Sequence, residues 1–400
     1  MRNGVGEMVH VPQHIRALVP YVPGKPIEET QREYQLKQVI KLASNENPLG
    51  ASPKARQASK KALSELHRYP DGSGYHLKSA LMKKLTASGV FAGRAEEFYS
   101  RFSIILGNGS NDVIEQVIRT FCVPGDAIVT SQKAFIAYSI SAQIHGVKTL
   151  EVPLDEHLRF DPSEMVDWVR RNEKVRVVFL ANPNNPTGTY LNHSELQQLV
   201  RGLSQVRDGS VILVLDYAYW EYMSAPDLAD PLEFLGQYPN TLILRTFSKI
   251  YGLAGFRVGY GLGPKELMAH LEKVRQPFNM NSPALAGAQA ALEDDEFVRK
   301  SIEMNQKGMQ FWEKQLKKMS IPFWKSQGNF LLLDVQSGFG LSGIELNQRC
   351  LPCGLILRPL ANYGMPGQIR LTVGSSFENQ KAAQILRDIQ ASASQRLRQS

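Results

Sequence analysis

Two short runs constrain the fold of this chain more than anything else in it. Residues 175–180 (VRVVFL) are apolar at every position but one, and residues 211–215 (VILVL) at all five. A strand with one face in water alternates polar and apolar residues. A strand that is apolar throughout is covered on both faces, as in a parallel sheet layered between helices. The surrounding sequence supplies those helices. Helical patterns over 76–87, 111–121, 134–145, 194–206 and from Pro162 onward alternate with strand patterns over 103–106, 127–130, 149–152, 242–244 and 258–260. Asn192 with Glu195 forms a capping box, and Ser52 followed by Pro53 marks a helix start running to about Leu66. This alternation predicts an α/β fold with a large, doubly wound, mostly parallel sheet, and in such sheets ligands sit beyond the carboxyl ends of the strands.

At 400 residues the chain exceeds one comfortable core, so a second unit is expected. A helix over 282–292 reads as continuing into a longer one over 294–319. Beyond it come strands over 330–335, 355–358 and 368–373 and helices over 343–350 and 378–396, a smaller α+β unit. The expected division is 1–60 as an N-terminal arm and part of the small domain, 61–290 as the large domain, and 291–400 as the C-terminal small domain. The net charge of +8 is spread along the chain with no basic run interleaved with aromatics, which argues against nucleic acid as a partner and suits an anionic metabolite. Cys350 and Cys353 form a lone CxxC with no second ligand pair spaced for a metal site, so no metal is expected. The three cysteines, the N-terminus without a continuous apolar segment and the lack of any bilayer-length apolar stretch point to a cytoplasmic protein.

The residues that carry chemistry fall where strands end. In RTFSKIYGLAGFRVGY, residues 245–260, the hydroxyls of Thr246 and Ser248, the amine of Lys249 and the guanidinium of Arg257 follow an apolar strand within a glycine-punctuated turn. Such a set serves an aldehyde that bears a phosphate: the amine condenses with the carbonyl while the hydroxyls and guanidinium hold the phosphate. Gly107-x-Gly109-Ser110 follows another strand and opens a helix, so backbone amides can approach an anion there; the third glycine of a dinucleotide fingerprint is missing. Asn182–Gly188 (NPNNPTG) follows the 175–180 strand, with two prolines presetting the turn. Asp216 ends the 211–215 strand, with Tyr219 three residues on. A carboxylate there can hold a proton on a pyridine nitrogen, and the phenol can reach a ring hydroxyl. Each motif alone also has a plain structural reading. Asp216 could cap the following turn, and the glycine–serine turn could simply join strand to helix.

In combination and order, these motifs make the chain resemble the pyridoxal-phosphate aminotransferases of the aspartate-aminotransferase-like fold, fold type I, and among them the histidinol-phosphate group. SNENPLG, HRYPDG, GNGSND, NPNNPTG, DYAY, RTFSKIYGLAGFRVGY and RPLANYGMPGQIRLTVG carry the resemblance over nearly the whole length. It implies a homodimer with shared active sites and pyridoxal 5'-phosphate as cofactor. Lys249, Asp216 and Tyr219 would be catalytic, with Lys249 carrying the cofactor and moving the proton and Asp216 pairing with the pyridine nitrogen. Asn185 and Tyr219 would bond the ring oxygen, and Phe135 would stack on the ring. Gly109, Ser110, Thr246, Ser248 and Arg257 would hold the phosphate, with Tyr69 reaching across to the partner subunit's. Tyr21, Asn45, Arg358 and Arg370 would bind substrate, Arg358 and Tyr21 at its phosphate. Three positions depart from the family's usual residues: Tyr217 in place of glutamate, Asn111 in place of an acid, and Phe135 in place of tyrosine. The implied reaction is transamination between histidinol phosphate and 2-oxoglutarate, giving imidazole acetol phosphate and glutamate, a step of histidine biosynthesis. The alternatives are an aromatic amino-acid aminotransferase, an amino-acid-phosphate decarboxylase on the same scaffold, and a non-catalytic cofactor-binding regulator of DNA.

Overall fold

A computed structural model describes residues 10–20 and 23–397, with side chains through 392. Its thirteen strands, in chain order, begin with β1 (Ile40–Lys41), β2 (Phe102–Asn108), β3 (Ala127–Ser131), β4 (Lys148–Val152), β5 (Val175–Ala181), β6 (Ile212–Asp216) and β7 (Thr241–Thr246). They continue with β8 (Val258–Pro264), β9 (Phe323–Trp324), β10 (Phe330–Asp334), β11 (Leu355–Ile356), β12 (Arg358–Leu360) and β13 (Met365–Thr372).

Seven of them form one sheet in the order β2-β8-β7-β6-β5-β3-β4. The pairs among β3, β4, β5, β6 and β7 are parallel, and β5 and β6 are apolar and buried as a doubly covered sheet requires. β8 departs from the parallel pattern, running antiparallel to both β2 and β7. This has a useful consequence. Two strands antiparallel to the same neighbour share a direction, so β2 points the same way as β7, and the carboxyl ends of β2, β3, β5, β6 and β7 lie along one edge. β8 starts at that edge, with Arg257 immediately before it.

Apolar layers cover both faces of this sheet. One is built around Leu180, Leu213, Leu215 and Ile243, the other around Val177, Phe179, Val214 and Leu244. The alternation of these residues along β5 and β6 is the expected geometry of a strand, whose successive side chains point to opposite faces. Both helix-start signatures act as expected. Ser52 Oγ accepts from the Ala55 amide, and Asn192 and Glu195 form a reciprocal capping box.

A four-stranded antiparallel sheet, β12-β13-β10-β9, packs its own core around Leu331, Leu333, Ile369, Leu371 and Trp312. β1 pairs in parallel with β11. The expected single strand over 355–358 is two strands, β11 and β12, in different sheets. The helix over 282–292 does not run on without a break. Ser282–Leu292 and Asp295–Lys318 are separated at Glu293-Asp294, where Asp294 caps the second helix and its other carboxylate oxygen accepts from Ser52 Oγ at 2.6 Å. A helix over Ala95–Arg101 has no counterpart in the sequence reading. Among the described residues no helix is long and apolar enough to cross a membrane.

Candidate active site

The strand ends deliver their loops into one cavity of about 280 Å³. At one end is an anion cradle. β2 turns at Gly109, whose φ of +81° places it where a side chain is strained, and a Cβ there would lie 2.3 Å from Nη2 of Arg257. Glycine thus lets the guanidinium close on the amino end of the Ser110–Phe121 helix, where free amides and the helix dipole favour negative charge. Arg257 Nη1 lies 3.4 Å from Ser248 Oγ, and the Ser248 amide donates to Thr246 Oγ1 at 3.1 Å. Ser110, Thr246, Ser248 and Arg257 all face the cavity. Gly109 is not among the residues that line it.

At the other end Asp216 terminates β6, 5 % exposed. Tyr138 donates its hydroxyl proton to Oδ2 at 2.8 Å, and the Ala218 amide donates to Oδ1 at 3.1 Å. Burial raises this carboxyl to about 6 despite both bonds, which favour the ionised form as does the nearby Lys249. Tyr138 is sandwiched: its ring stacks on Phe179 at 4.8 Å and meets Phe135 edge-on at 5.7 Å. Phe135 lines the cavity.

Between these ends lies Lys249. Its Nζ donates to the Ser44 carbonyl at 3.2 Å and sits 5.6 Å from the centroid of the Tyr219 ring. Burial, then the positive charges of Arg370 and Arg257, lower its pKa from 10.5 to about 7, against the opposing pull of Glu46 and Asp216. Tyr219 accepts from Asn45 Nδ2 at 2.8 Å. Burial pushes its phenol up to about 12, so it remains a donor. Asn185 accepts from Arg370 Nη1 at 2.5 Å through Oδ1, leaving its Nδ2 as a donor.

The small sheet completes the wall. Arg358 on β12 stands directly opposite Arg370 on β13, and both line the cavity. Like charges opposed across an antiparallel pair repel, and an anion bound there relieves the repulsion. Arg370 Nη2 donates to the Ala43 carbonyl at 2.6 Å.

Of the residues singled out in the sequence, Asn45, Ser110, Phe135, Asn185, Asp216, Tyr219, Thr246, Ser248, Lys249, Arg257, Arg358 and Arg370 meet at this cavity. Tyr69 does not. It is 83 % exposed and stacks on Phe278 at 4.8 Å. Tyr21 lies outside the described residues. Tyr138, Ser44, Glu46 and Tyr363 also line the cavity and were not picked out from the sequence. Tyr138 lies in the first turn of the helix Ala137–Ile144, and Phe135 precedes that helix, so no helical spacing in the sequence marked the pair.

The arrangement offers a buried carboxylate, an amine whose pKa of about 7 leaves it partly uncharged at neutral pH, and a cradle of hydroxyls beside a guanidinium. It fits a phosphorylated aromatic aldehyde with a basic ring nitrogen. A cationic ring N–H would provide the counter-charge that Asp216's raised pKa shows it to need.

The aminotransferase class I and II family pattern matches residues 37–386. The chain is 41 % identical over 378 residues to the histidinol-phosphate aminotransferase of Bdellovibrio bacteriovorus, covering 93 % of this chain and 97 % of that one. It is 44 % identical to histidinol-phosphate aminotransferase 2 of Pseudomonas fluorescens Pf0-1, covering 94 % and 96 %. Among solved structures, that of Sinorhizobium meliloti histidinol-phosphate aminotransferase in complex with pyridoxal-5'-phosphate aligns with a TM-score of 0.81 and 25 % identity over 96 % of this chain and 98 % of that one. Aspartate aminotransferase of Thermus thermophilus with maleate aligns at 0.78 and 20 % identity over 96 % and 100 %, a likeness of fold.

Proposed function

Because this chain belongs to the class I and II aminotransferase family, we propose that it uses pyridoxal 5'-phosphate to move the amino group of histidinol phosphate to 2-oxoglutarate, yielding imidazole acetol phosphate and glutamate in histidine biosynthesis. The observation that carries this reading is the meeting of Asp216 and Lys249 at one cavity: a buried acid bonded to no cation among the described residues and an amine with a depressed pKa. Bound pyridoxal phosphate supplies a carbonyl to condense with an amine and an electron-withdrawing ring that acidifies the C–H beside the substrate nitrogen.

The rest falls to the chain's own side chains. Asp216 holds a proton at the ring nitrogen, and Tyr138 and the Ala218 amide keep that carboxylate ionised and oriented. Asn185 Nδ2 and the Tyr219 phenol would hold the ring hydroxyl, and Phe135 would bound the ring, all three lining the cavity. Gly109, Ser110, Thr246, Ser248 and Arg257 hold the cofactor phosphate. Lys249, near its pKa at neutral pH, can accept the proton from substrate carbon and return it, as general acid–base catalysis requires. Arg370 and Asn45 orient the substrate at the reacting carbon, while Arg358 with Tyr21 takes its phosphate, for which a guanidinium fork is suited.

We assign Tyr69, exposed in the single chain, to the partner subunit's phosphate cradle in a homodimer, and the enzyme to the cytoplasm. Residues 61–290 form the cofactor-binding domain in this reading, with the small domain drawn from 1–60 and 291–400. An absorbance titration tests the proposal. The visible band of the loaded protein should bleach with histidinol phosphate and persist with phenylalanine or tyrosine; the reverse preference would favour an aromatic amino-acid aminotransferase.

A further inference from the structure

One charged pair stands behind the cavity and belongs to none of the roles above. Arg245 on β7 donates through Nη2 to Glu221 Oε1 at 2.9 Å, with the two side chains only 11 % and 14 % exposed. Its guanidinium carbon lies 5.7 Å from the Trp220 ring centroid. Neither residue lines the cavity. Thr246, the next residue along β7, does, so Arg245 points to the opposite face of the sheet. Around the pair are the phenols of Tyr251 and Tyr260, both held neutral by burial.

Replacing a buried ion pair by apolar residues is often neutral for stability, because desolvation offsets the attraction. What such a pair supplies is direction. Glu221 sits two residues after Tyr219, on the short helical turn Trp220–Tyr222. Arg245 sits four residues before Lys249, on the strand that leads to it. Their bond therefore ties together the two segments that carry Tyr219 and Lys249. The one described hydrogen bond to the Tyr219 hydroxyl comes from Asn45, which also lines the cavity.

We propose that Glu221 and Arg245 are a positioning pair, which fixes the spacing between the Tyr219 phenol and the Lys249 amine and so the register of the site. The inference rests on the reaction proposed above. It is tested on the loaded enzyme with Glu221→Gln, Arg245→Lys and the double variant Glu221→Met/Arg245→Met. The readouts are kcat and KM for histidinol phosphate, the pH midpoint of the cofactor's visible band, and the melting temperature of the cofactor-free protein.

A small displacement of reacting groups costs about ten- to a hundredfold in rate, so kcat of the double variant should fall by about tenfold or more with KM within about twofold. Its visible-band midpoint should move while its melting temperature stays close to that of the parent. Arg245→Lys, which keeps the charge, should recover most of kcat. If the double variant fails to fold, Glu221→Gln, of equal size but leaving Arg245 without its counter-charge, is read through the pH midpoint of the visible band, which a loss of stability alone does not move. Variants that keep parental kcat and band midpoint, or lose rate only in step with melting temperature, would overturn the proposal. Absence of any visible band in the parent would instead refute the reading of the function.

Discussion

Tyr138→Phe removes a single oxygen from a side chain with no exposed surface, and its consequence can be worked from the structure. The lost bond, 2.8 Å to Asp216 Oδ2, is one of two that favour the ionised carboxylate. A hydrogen bond to a charged group contributes about 1.5–3 kcal/mol, and 1.36 kcal/mol corresponds to one pKa unit, so Asp216 should rise by about 1–2 units. From its value of about 6 this carries it to roughly 7–8, so that at pH 7 a mostly ionised group becomes half or more protonated. Tyr138's own pKa is raised well above 10, so in the parent it donates throughout the relevant range.

The assay is cofactor affinity of the cofactor-free protein, followed by fluorescence quenching from pH 5 to pH 9. In the proposed function, ionised Asp216 is the form that would receive the ring nitrogen. The acid limb of the affinity profile should therefore move up by about 1–2 pH units, with affinity at pH 7 down by about two- to tenfold and recovered near pH 9. Stability follows with a definite sign. A carboxyl raised above its solvated value stabilises the folded cofactor-free protein below pH 3.8, and that contribution is lost as pH rises to about 6. In the variant the loss should extend past pH 7. An acid limb at the same pH in parent and variant would refute the reasoning.

Arg358→Ala should raise KM for histidinol phosphate by about ten- to a hundredfold, the worth of a charge-assisted contact, and leave turnover of phosphate-free amino acids within about twofold; steady-state kinetics with both substrates decide it. Gly109→Ala should weaken cofactor binding by about tenfold or more, because its Cβ meets Arg257 at 2.3 Å and its φ is +81°; affinity within twofold of the parent would contradict the cradle geometry. Lys249 has its folded pKa depressed from 10.5 to about 7, so the unfolded chain binds the extra proton and cofactor-free stability should rise with pH between those values. Urea midpoints at pH 7 and pH 9.5 should show the parent gaining relative to Lys249→Met.

Much of this could be read in the residues because it is local. The apolar runs of β5 and β6 announced their double burial, and the capping residues Ser52 and Asn192 their helices. Ser110, Asn185, Asp216, Thr246, Ser248, Lys249 and Arg257, which line one cavity, stood out by their chemistry after strands. What escaped depends on chain segments far apart in sequence. Periodicity carries no direction, so β8 did not reveal that it runs antiparallel to its neighbours. Leu357 looks like the middle of one strand, yet the chain leaves one sheet and enters another there. Tyr138 sits in the apolar stretch AFIAYSI and reads as core filler, and only the fold brings its hydroxyl to Asp216, 78 positions away. The Glu221–Arg245 pair looks like two ordinary surface charges until both are seen to be buried.

In the proposed function Lys249 is the amine that carries the cofactor. Loading the protein with pyridoxal phosphate, reducing it with borohydride and mapping peptides by mass should find the added pyridoxyl group on Lys249 alone. An unmodified Lys249 peptide, or label scattered over the other lysines, would contradict the account.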